Sequence, residues 1–208
     1  MYNPSRDPSL LAVIFGNIVS IVMAIAYDWS LAEIMWIYWG QSVAIGVMNV
    51  IRMLSLKEFS TKGLTSNGSP VPETESGKRS TAIFFAFHYG FFHLGYAVFL
   101  WQEMPLAEIA VASAVIMMTC VSIFVGGHSY SLMHNLKRDF KHKKPNLGTL
   151  MFYPYLRIIP MHITIVLGSM GSLTLPIFMV LKTFADVCMH MVEHHMFQKP
   201  DKATIIKD

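Results

Sequence analysis

Residues 173–195 read LTLPIFMVLKTFADVCMHMVEHH, an apolar run that ends in a series of ionisable side chains. Lys182, Asp186, His190 and His194 recur every four residues, so on a helix they form one polar stripe. Ionisable side chains are costly inside a membrane helix and normally face a partner, a cavity or a site. This stretch therefore predicts a membrane helix that contributes a polar site to a small bundle.

The composition of the whole chain also indicates a membrane protein. Of its 208 residues, 53% are hydrophobic and 14% are charged, whereas soluble domains carry roughly 25% charged residues. Several apolar runs reach the about 20 residues that a membrane helix needs. The predicted spans cover residues 9–27, 30–53, 82–102, 105–127, 149–170 and 172–192. We therefore predict an all-α, polytopic membrane helix bundle with six transmembrane helices, folded as one domain over residues 1–208.

Two polar connections determine the predicted topology. Residues 54–81 are rich in Ser, Thr, Gly and Pro, which predicts a flexible loop. Residues 129–148 are basic and predict a short surface helix that Pro145 ends. Lys and Arg lie in these connections and near the chain ends. The connections on the other side of the membrane contain Asp28 and Glu103 but no Lys or Arg. Basic loops favour the cytoplasmic side, so both termini are predicted to be cytoplasmic in a multi-pass protein of the cell inner membrane.

Four predicted spans place polar groups in the cytoplasmic half of the bilayer, where their convergence would form a pocket near the cytoplasm. The set comprises Gln41 and Asn49 of span 2, His88 and His93 of span 3, Arg157 and His162 of span 5, and Lys182, Asp186, His190, Glu193 and His194 at the end of span 6. A proline, Pro160, predicts a kink in span 5 because it frees the carbonyl of Leu156.

Metal binding is one chemistry that fits this set. Asp186, His190 and His194 stand four residues apart, a spacing at which side chains of one helix bind one ion. His88 or His162 would add a ligand from another span. Imidazole suits zinc, iron and copper, and haem is disfavoured because the chain has no CxxCH motif. This hypothesis predicts a metal-binding membrane protein or a metal-dependent enzyme that acts on a membrane substrate.

Other chemistries fit the same residues. Arg157 stays protonated, so it opposes a metal ion and would bind an anionic group of a substrate or lipid. Alternatively, Lys182 or Arg157 pairs with Asp186. In that case the protein is a structural or accessory subunit, and its polar network, which also includes Gln41, Asn49, His93 and Glu193, only fixes helix packing. A proton- or ion-coupled transporter is a further alternative. The expected partners are membrane lipids and a second copy or another membrane subunit; a net charge of +3 does not indicate nucleic acid.

Four stretches occur together in a recognisable way: residues 38–53 (YWGQSVAIGVMNVIRM), 87–93 (FHYGFFH), 157–162 (RIIPMH) and 182–194. In these stretches the chain resembles a family of small bacterial and archaeal membrane proteins that is classified only as a domain of unknown function. The resemblance implies six helices over nearly the whole chain, draws attention to His88, Arg157, Asp186 and His194, and supplies no activity. It also implies that the position of Gln41 often holds a glutamate, a carboxylate that this chain lacks.

Overall fold

The described part of the chain is mostly helical in a computed structural model. It comprises residues 18, 21–22, 24–103, 105, 109, 111–139, 144–168 and 175–198, of which 111–112, 127–128, 130–139, 165–168, 175, 190 and 192–198 are described by their backbone alone. Its helices are α1 (Leu31–Ser55), α2 (Glu75–Glu103), α3 (Val111–Asp139), α4 (Leu147–Phe152), α5 (Ile158–Gly168) and α6 (Leu175–Gln198), with a 3₁₀ turn at Tyr153–Arg157. The prediction of a helical bundle is confirmed.

Helix α1 lies at the centre of the bundle and packs against α2, α3, α4 and the 3₁₀ turn. It begins at a capping box, in which the hydroxyl of Ser30 accepts from the Glu33 N–H at 3.3 Å and the Glu33 carboxylate accepts from the Ser30 N–H at 2.7 Å. Ser42, Asn49 and Met53 lie on one face and are buried, as the helical period predicts. The polar, inward side predicted for span 2 is therefore present.

Among the residues that the structure describes, two helices are long and apolar enough to cross a membrane: α1, with a mean hydropathy of 1.4, and α2, with 1.5. A shorter apolar stretch, Ser113–Gly126, lies in α3. These helices coincide with three of the six predicted spans, whereas the count of six and the orientation stay predictions. Of predicted span 1, residues 18, 21–22 and 24–26 are helical, and the rest lies outside the described residues.

Residues 56–74 form a hydrogen-bonded loop, although their composition predicted a flexible one. Asn67 and Gly68 have φ of 50° and 78°, the signature of a type I′ turn, and join strands β1 (Thr65–Ser66) and β2 (Ser69–Pro70). The Ser60 N–H donates to the Pro145 carbonyl at 2.9 Å. The loop is thereby fixed to the residues that precede α4.

The second connection and span 5 also differ from prediction. The predicted surface helix within residues 129–148 is the end of α3, which continues unbroken to Asp139. Span 5 is not one kinked helix, because the 3₁₀ turn, with Pro154 in its first turn, separates α4 from α5. Pro160 falls in the first turn of α5, where a helix needs no N–H donor. The break therefore precedes Pro160 and places Arg157 at a helix junction.

Candidate functional site

Arg157 joins four elements at the end of the 3₁₀ turn, with a side chain that is 2% exposed. Its Nη1 donates to Oδ1 of Asp186 on α6, and its Nη2 donates to Oε1 of Gln41 on α1 at 3.3 Å. The guanidinium carbon lies 4.4 Å from the ring centre of Tyr38 on α1 and 5.5 Å from that of Phe124 on α3, an arrangement in which the ring faces attract the cation.

Lys182 brings a second cation to the same carboxylate. Its Nζ lies 2.8 Å from Oδ2 of Asp186, one helical turn further along α6, and the two side chains are 11% and 9% exposed. Both pairings predicted for Asp186 are therefore present, and together the three side chains carry one net positive charge. We call Arg157, Asp186, Lys182 and Gln41 the Arg157 centre.

One donor of this centre lacks a partner. Within the described part of the chain, Nε of Arg157 is buried and makes no hydrogen bond. Buried polar groups are normally hydrogen-bonded, so each exception requires an explanation. Because Nε–H is one of five donors in a planar guanidinium, it can donate a hydrogen bond to an oxygen atom without loss of the bonds at Nη1 and Nη2.

A second polar network joins α1 to α2. His93 Nδ1 lies 2.8 Å from the Tyr89 carbonyl, so in a neutral ring this nitrogen carries the proton, and Nε2 accepts from the Ser42 hydroxyl at 2.8 Å. The Tyr89 hydroxyl lies 2.8 Å from Oγ and 3.1 Å from the carbonyl of Ser42. A serine beside a histidine base is also a nucleophile arrangement, but Ser42 is buried in mid-helix, where backbone N–H groups bond within α1 rather than to an oxyanion.

Two of the predicted metal ligands bind tyrosines. Nδ1 of His88 lies 2.8 Å from the Tyr155 hydroxyl, and Nδ1 of His162 lies 3.1 Å from the Tyr96 hydroxyl. Both imidazoles are exposed at the surface of the chain. The two carboxylate oxygens of Asp186 instead receive the cations of Arg157 and Lys182.

The metal site as a whole stays a prediction. The side chains of His190, Glu193 and His194 lie outside the described residues. Among the side chains that are described, no three His, Cys, Asp or Glu residues are placed to hold one metal ion. Because both oxygens of the Asp186 carboxylate already contact cations, Arg157 or Lys182 would have to leave it before Asp186 could bind a metal ion.

Asn49 of the predicted polar network connects α1 to α4. Its Nδ2 donates to the Leu150 carbonyl at 2.8 Å, while Oδ1 is buried and unpaired in the described part of the chain. One turn later, Nη1 of Arg52 donates to the Tyr153 hydroxyl at 3.4 Å. These bonds hold the start of the broken helix against α1 and so support the position of Arg157.

Sequence reasoning missed the tyrosines. Tyr38 covers the guanidinium and donates to the Arg157 carbonyl at 3.2 Å, while Tyr89 and Tyr96 bond Ser42 and His162. One signal was available, since Tyr89, His93 and Tyr96 stand at i, i+4 and i+7 and so share a helix face. Phenol rings pack as apolar groups, which is why this stretch looked like part of an ordinary span.

No curated protein and no solved structure matches this chain. A family model described as a family of unknown function (DUF6498) matches residues 2–203. The match spans nearly the whole chain and confirms the resemblance to an uncharacterised family, whereas the membrane location and the bacterial and archaeal distribution implied by the resemblance stay predictions. The chain therefore belongs to the family of unknown function DUF6498.

Proposed function

We propose that this protein is a multi-pass membrane protein whose Arg157 centre binds an oxyanion, either the phosphate of a lipid headgroup or that of a small solute. The observation that carries the proposal is the buried Nε–H of Arg157, which has no partner in the described part of the chain. It lies in a centre where a second cation, Lys182, shares the carboxylate of Asp186.

The outer face of α2 supports the membrane part of the proposal. Phe87, Phe91, Leu94 and Trp101 recur at intervals of three, four or seven residues and are 78%, 73%, 64% and 65% exposed. A stripe of large apolar side chains is rare on the surface of a soluble monomer. In a bilayer, lipid tails would cover this stripe and keep its apolar surface out of water.

The six spans and the cytoplasmic termini belong to the same proposal. They rest on the placement of Lys and Arg in residues 54–81 and 129–148, because basic residues favour the cytoplasmic side. Exposed Lys57 and Lys62 lie in the first of these connections. With this orientation the Arg157 centre lies in the cytoplasmic half of the bilayer, where a solute or an inner-leaflet headgroup would reach it.

The chemistry of the centre favours an oxyanion over a cation. Arg157 offers a charged N–H, and charge-assisted hydrogen bonds to phosphate or carboxylate are roughly twice as strong as neutral ones. Lys182 adds a compact ammonium that places no directional demand on the ligand. Gln41 and Asp186 occupy the two Nη atoms and hold the guanidinium plane in position.

A purely structural role is the second candidate function, and the contacts of Arg157 favour it. The side chain joins Gln41, Tyr38, Phe124 and Asp186, which lie on three helices. These contacts fix helix packing without a ligand, as expected for an accessory subunit. A binding measurement separates the two candidates.

The probe for this measurement is a short-chain phosphatidylglycerol, titrated calorimetrically into the full chain in neutral detergent. Inorganic phosphate forms a second arm, which distinguishes a free phosphate from a headgroup, and short-chain phosphatidylcholine controls for the lipid body. Lys182→Met removes one cation of the centre. Arg79→Gln is its matched control, since Arg79 is an exposed residue of α2 and also loses one positive charge.

We expect the wild type to bind phosphatidylglycerol or inorganic phosphate, and we expect Arg79→Gln to bind the same ligand with the affinity of the wild type. Lys182→Met should bind about tenfold more weakly or worse, because a hydrogen bond to a charged group contributes about 1.5–3 kcal/mol. Equal affinity of Lys182→Met and wild type would overturn the proposal. Absence of binding, with a lowered melting temperature in Lys182→Met, would leave the structural candidate.

A further inference from the structure

Gln41 contacts Arg157 through one end of its side-chain amide. Nη2 of Arg157 donates to Oε1 at 3.3 Å, and because a guanidinium has no acceptor, the oxygen of the amide must face it. The amide nitrogen Nε2 carries two N–H donors and cannot bond the guanidinium. Within the described part of the chain no protein acceptor is found for Nε2, and the side chain is only partly buried. This nitrogen can therefore donate to a ligand.

The unpaired donor of Arg157 lies on the same side of the guanidinium as Gln41. Nη2 is the nitrogen that shares an edge of this planar group with the Nε–H bond, and such an edge binds oxyanions well. An oxygen atom that accepts from Nε–H, which is buried and unpaired among the described residues, would therefore lie near the side chain that bonds Nη2. Arg157 and Gln41 thus present donors to one ligand position.

The charge of the Arg157 centre depends on a neutral side chain at position 41. Arg157, Lys182 and Asp186 together carry one net positive charge in a largely buried site, where an uncompensated charge is costly. One negative charge on a ligand balances it, whereas a second would have no partner. We propose that Gln41 sets the ligand class of this centre, because it donates from Nε2 and adds no charge, so that the site takes an oxyanion with a single negative charge, such as a phosphodiester. This inference rests on the proposed function.

The test measures binding of two singly charged phosphodiesters, dimethyl phosphate and short-chain phosphatidylglycerol, to the full chain by calorimetry in neutral detergent. The two probes distinguish a free phosphate from a lipid headgroup. In Gln41→Glu the carboxylate still accepts from Nη2, but it neutralises the centre and replaces the amide donors by an acceptor. The dissociation constant should therefore rise at least about 100-fold, because like charges repel strongly within a binding site.

Three further measurements complete the test. Gln41→Met keeps the size and charge of the side chain but loses its donors, and should bind about tenfold more weakly. Gln102→Glu is the matched control for added charge, since Gln102 is an exposed residue of α2, and should bind as the wild type does. Monomethyl phosphate carries nearly two charges at slightly alkaline pH and should bind the wild type about tenfold more weakly than dimethyl phosphate.

Thermal unfolding separates ligand binding from a structural role of Gln41. The carboxylate of Gln41→Glu pairs with Arg157 at least as well as the amide does, so the melting temperature should equal or exceed that of the wild type while binding is lost. A side chain that only fixes Arg157 would leave the affinity of Gln41→Glu unchanged. If Gln41→Glu does not fold, Gln41→Met alone decides the contact.

Wild-type affinity in either Gln41 variant would overturn the inference, and so would an equal loss of binding in Gln102→Glu. Monomethyl phosphate that binds as tightly as dimethyl phosphate would overturn the assigned ligand class. Each of these results requires that the wild type binds a probe, so each would leave the proposed oxyanion site in place. Absence of binding of phosphatidylglycerol and of every phosphate probe to the wild type would refute the proposed function itself.

Discussion

The contact between α1 and α2 at Gly46 allows a quantitative test of the bundle. A Cβ atom at this position would lie 2.5 Å from Cε1 and 2.7 Å from Cδ1 of Tyr89, well inside van der Waals contact. The Tyr89 ring has little freedom to move, because its hydroxyl lies 2.8 Å from Oγ of Ser42 and the ring stacks on Phe85 and His93, with centroids at 5.0 and 4.2 Å. Gly46→Ala should therefore overpack the interface.

The expected size follows from two opposing effects. Overpacking of a core costs about 1–3 kcal/mol, while replacement of a glycine within a helix by alanine gains about 0.5–1 kcal/mol. Gly46→Ala should therefore lower the free energy of unfolding by up to about 2.5 kcal/mol, with the middle of the range at about 1 kcal/mol. Gly90→Ala is the matched control, since a Cβ there meets nothing within 4 Å, and it should be neutral or more stable by up to about 1 kcal/mol.

The assay is reversible unfolding of the detergent-solubilised protein, followed by circular dichroism. A double variant with Tyr89→Leu removes the ring that the new methyl group meets, so the penalty of Gly46→Ala should shrink by about 1–2 kcal/mol in a double-mutant cycle. The packing described here would be refuted if Gly46→Ala were as stable as Gly90→Ala. Strictly additive effects of Gly46→Ala and Tyr89→Leu would refute it as well.

Two further predictions concern charges in different settings. Asp186→Asn leaves Arg157 and Lys182 without their shared carboxylate and should destabilise the protein by about 3–5 kcal/mol in the same assay; wild-type stability would contradict the buried pairing. In the exposed loop, the hydrogen bond from the Thr61 N–H lowers the pKa of Glu73. The ionised Glu73 carboxylate therefore contributes to stability above the ordinary carboxyl pKa, and this contribution is lost as pH falls through the lowered pKa. Hydrogen-exchange protection of the Thr61 amide should show this loss in the wild type but not in Glu73→Gln; an identical pH profile in both would exclude it.

Local periodicity could predict the faces of the helices. Four-residue spacing placed Lys182 beside Asp186, and the same period placed Gln41 and Asn49 on the inner side of α1. These relations depend only on the helix itself. The capping box of Ser30 and Glu33 is a local signal of the same kind, because it depends only on a serine and a glutamate three residues apart.

Contacts between helices could not be predicted from the same information. The bonds of His93 to Ser42 and of Arg157 to Gln41 depend on which helices are neighbours and on how each is rotated, and periodicity fixes neither. The prediction of a kink in span 5 considered Pro160 alone and did not consider Pro154, so the separate 3₁₀ turn was not predicted. Pro154 lies within that turn, and Pro160 lies in the first turn of α5, which begins at Ile158.

The metal and oxyanion hypotheses make opposite demands on Lys182. A divalent ion at Asp186 would add two positive charges to a centre that already carries one, so Lys182 or Arg157 would first have to leave the carboxylate. Lys182→Met frees Oδ2 of Asp186 and should raise the metal content if His190 and His194 complete a site. The same variant should weaken oxyanion binding if the proposed function is correct. Elemental analysis therefore decides between the two hypotheses. It compares tag-free wild type with Lys182→Met, each before and after incubation with zinc, iron or copper. A higher metal content in Lys182→Met would favour a metal centre, whereas absence of metal from both proteins would refute the metal hypothesis.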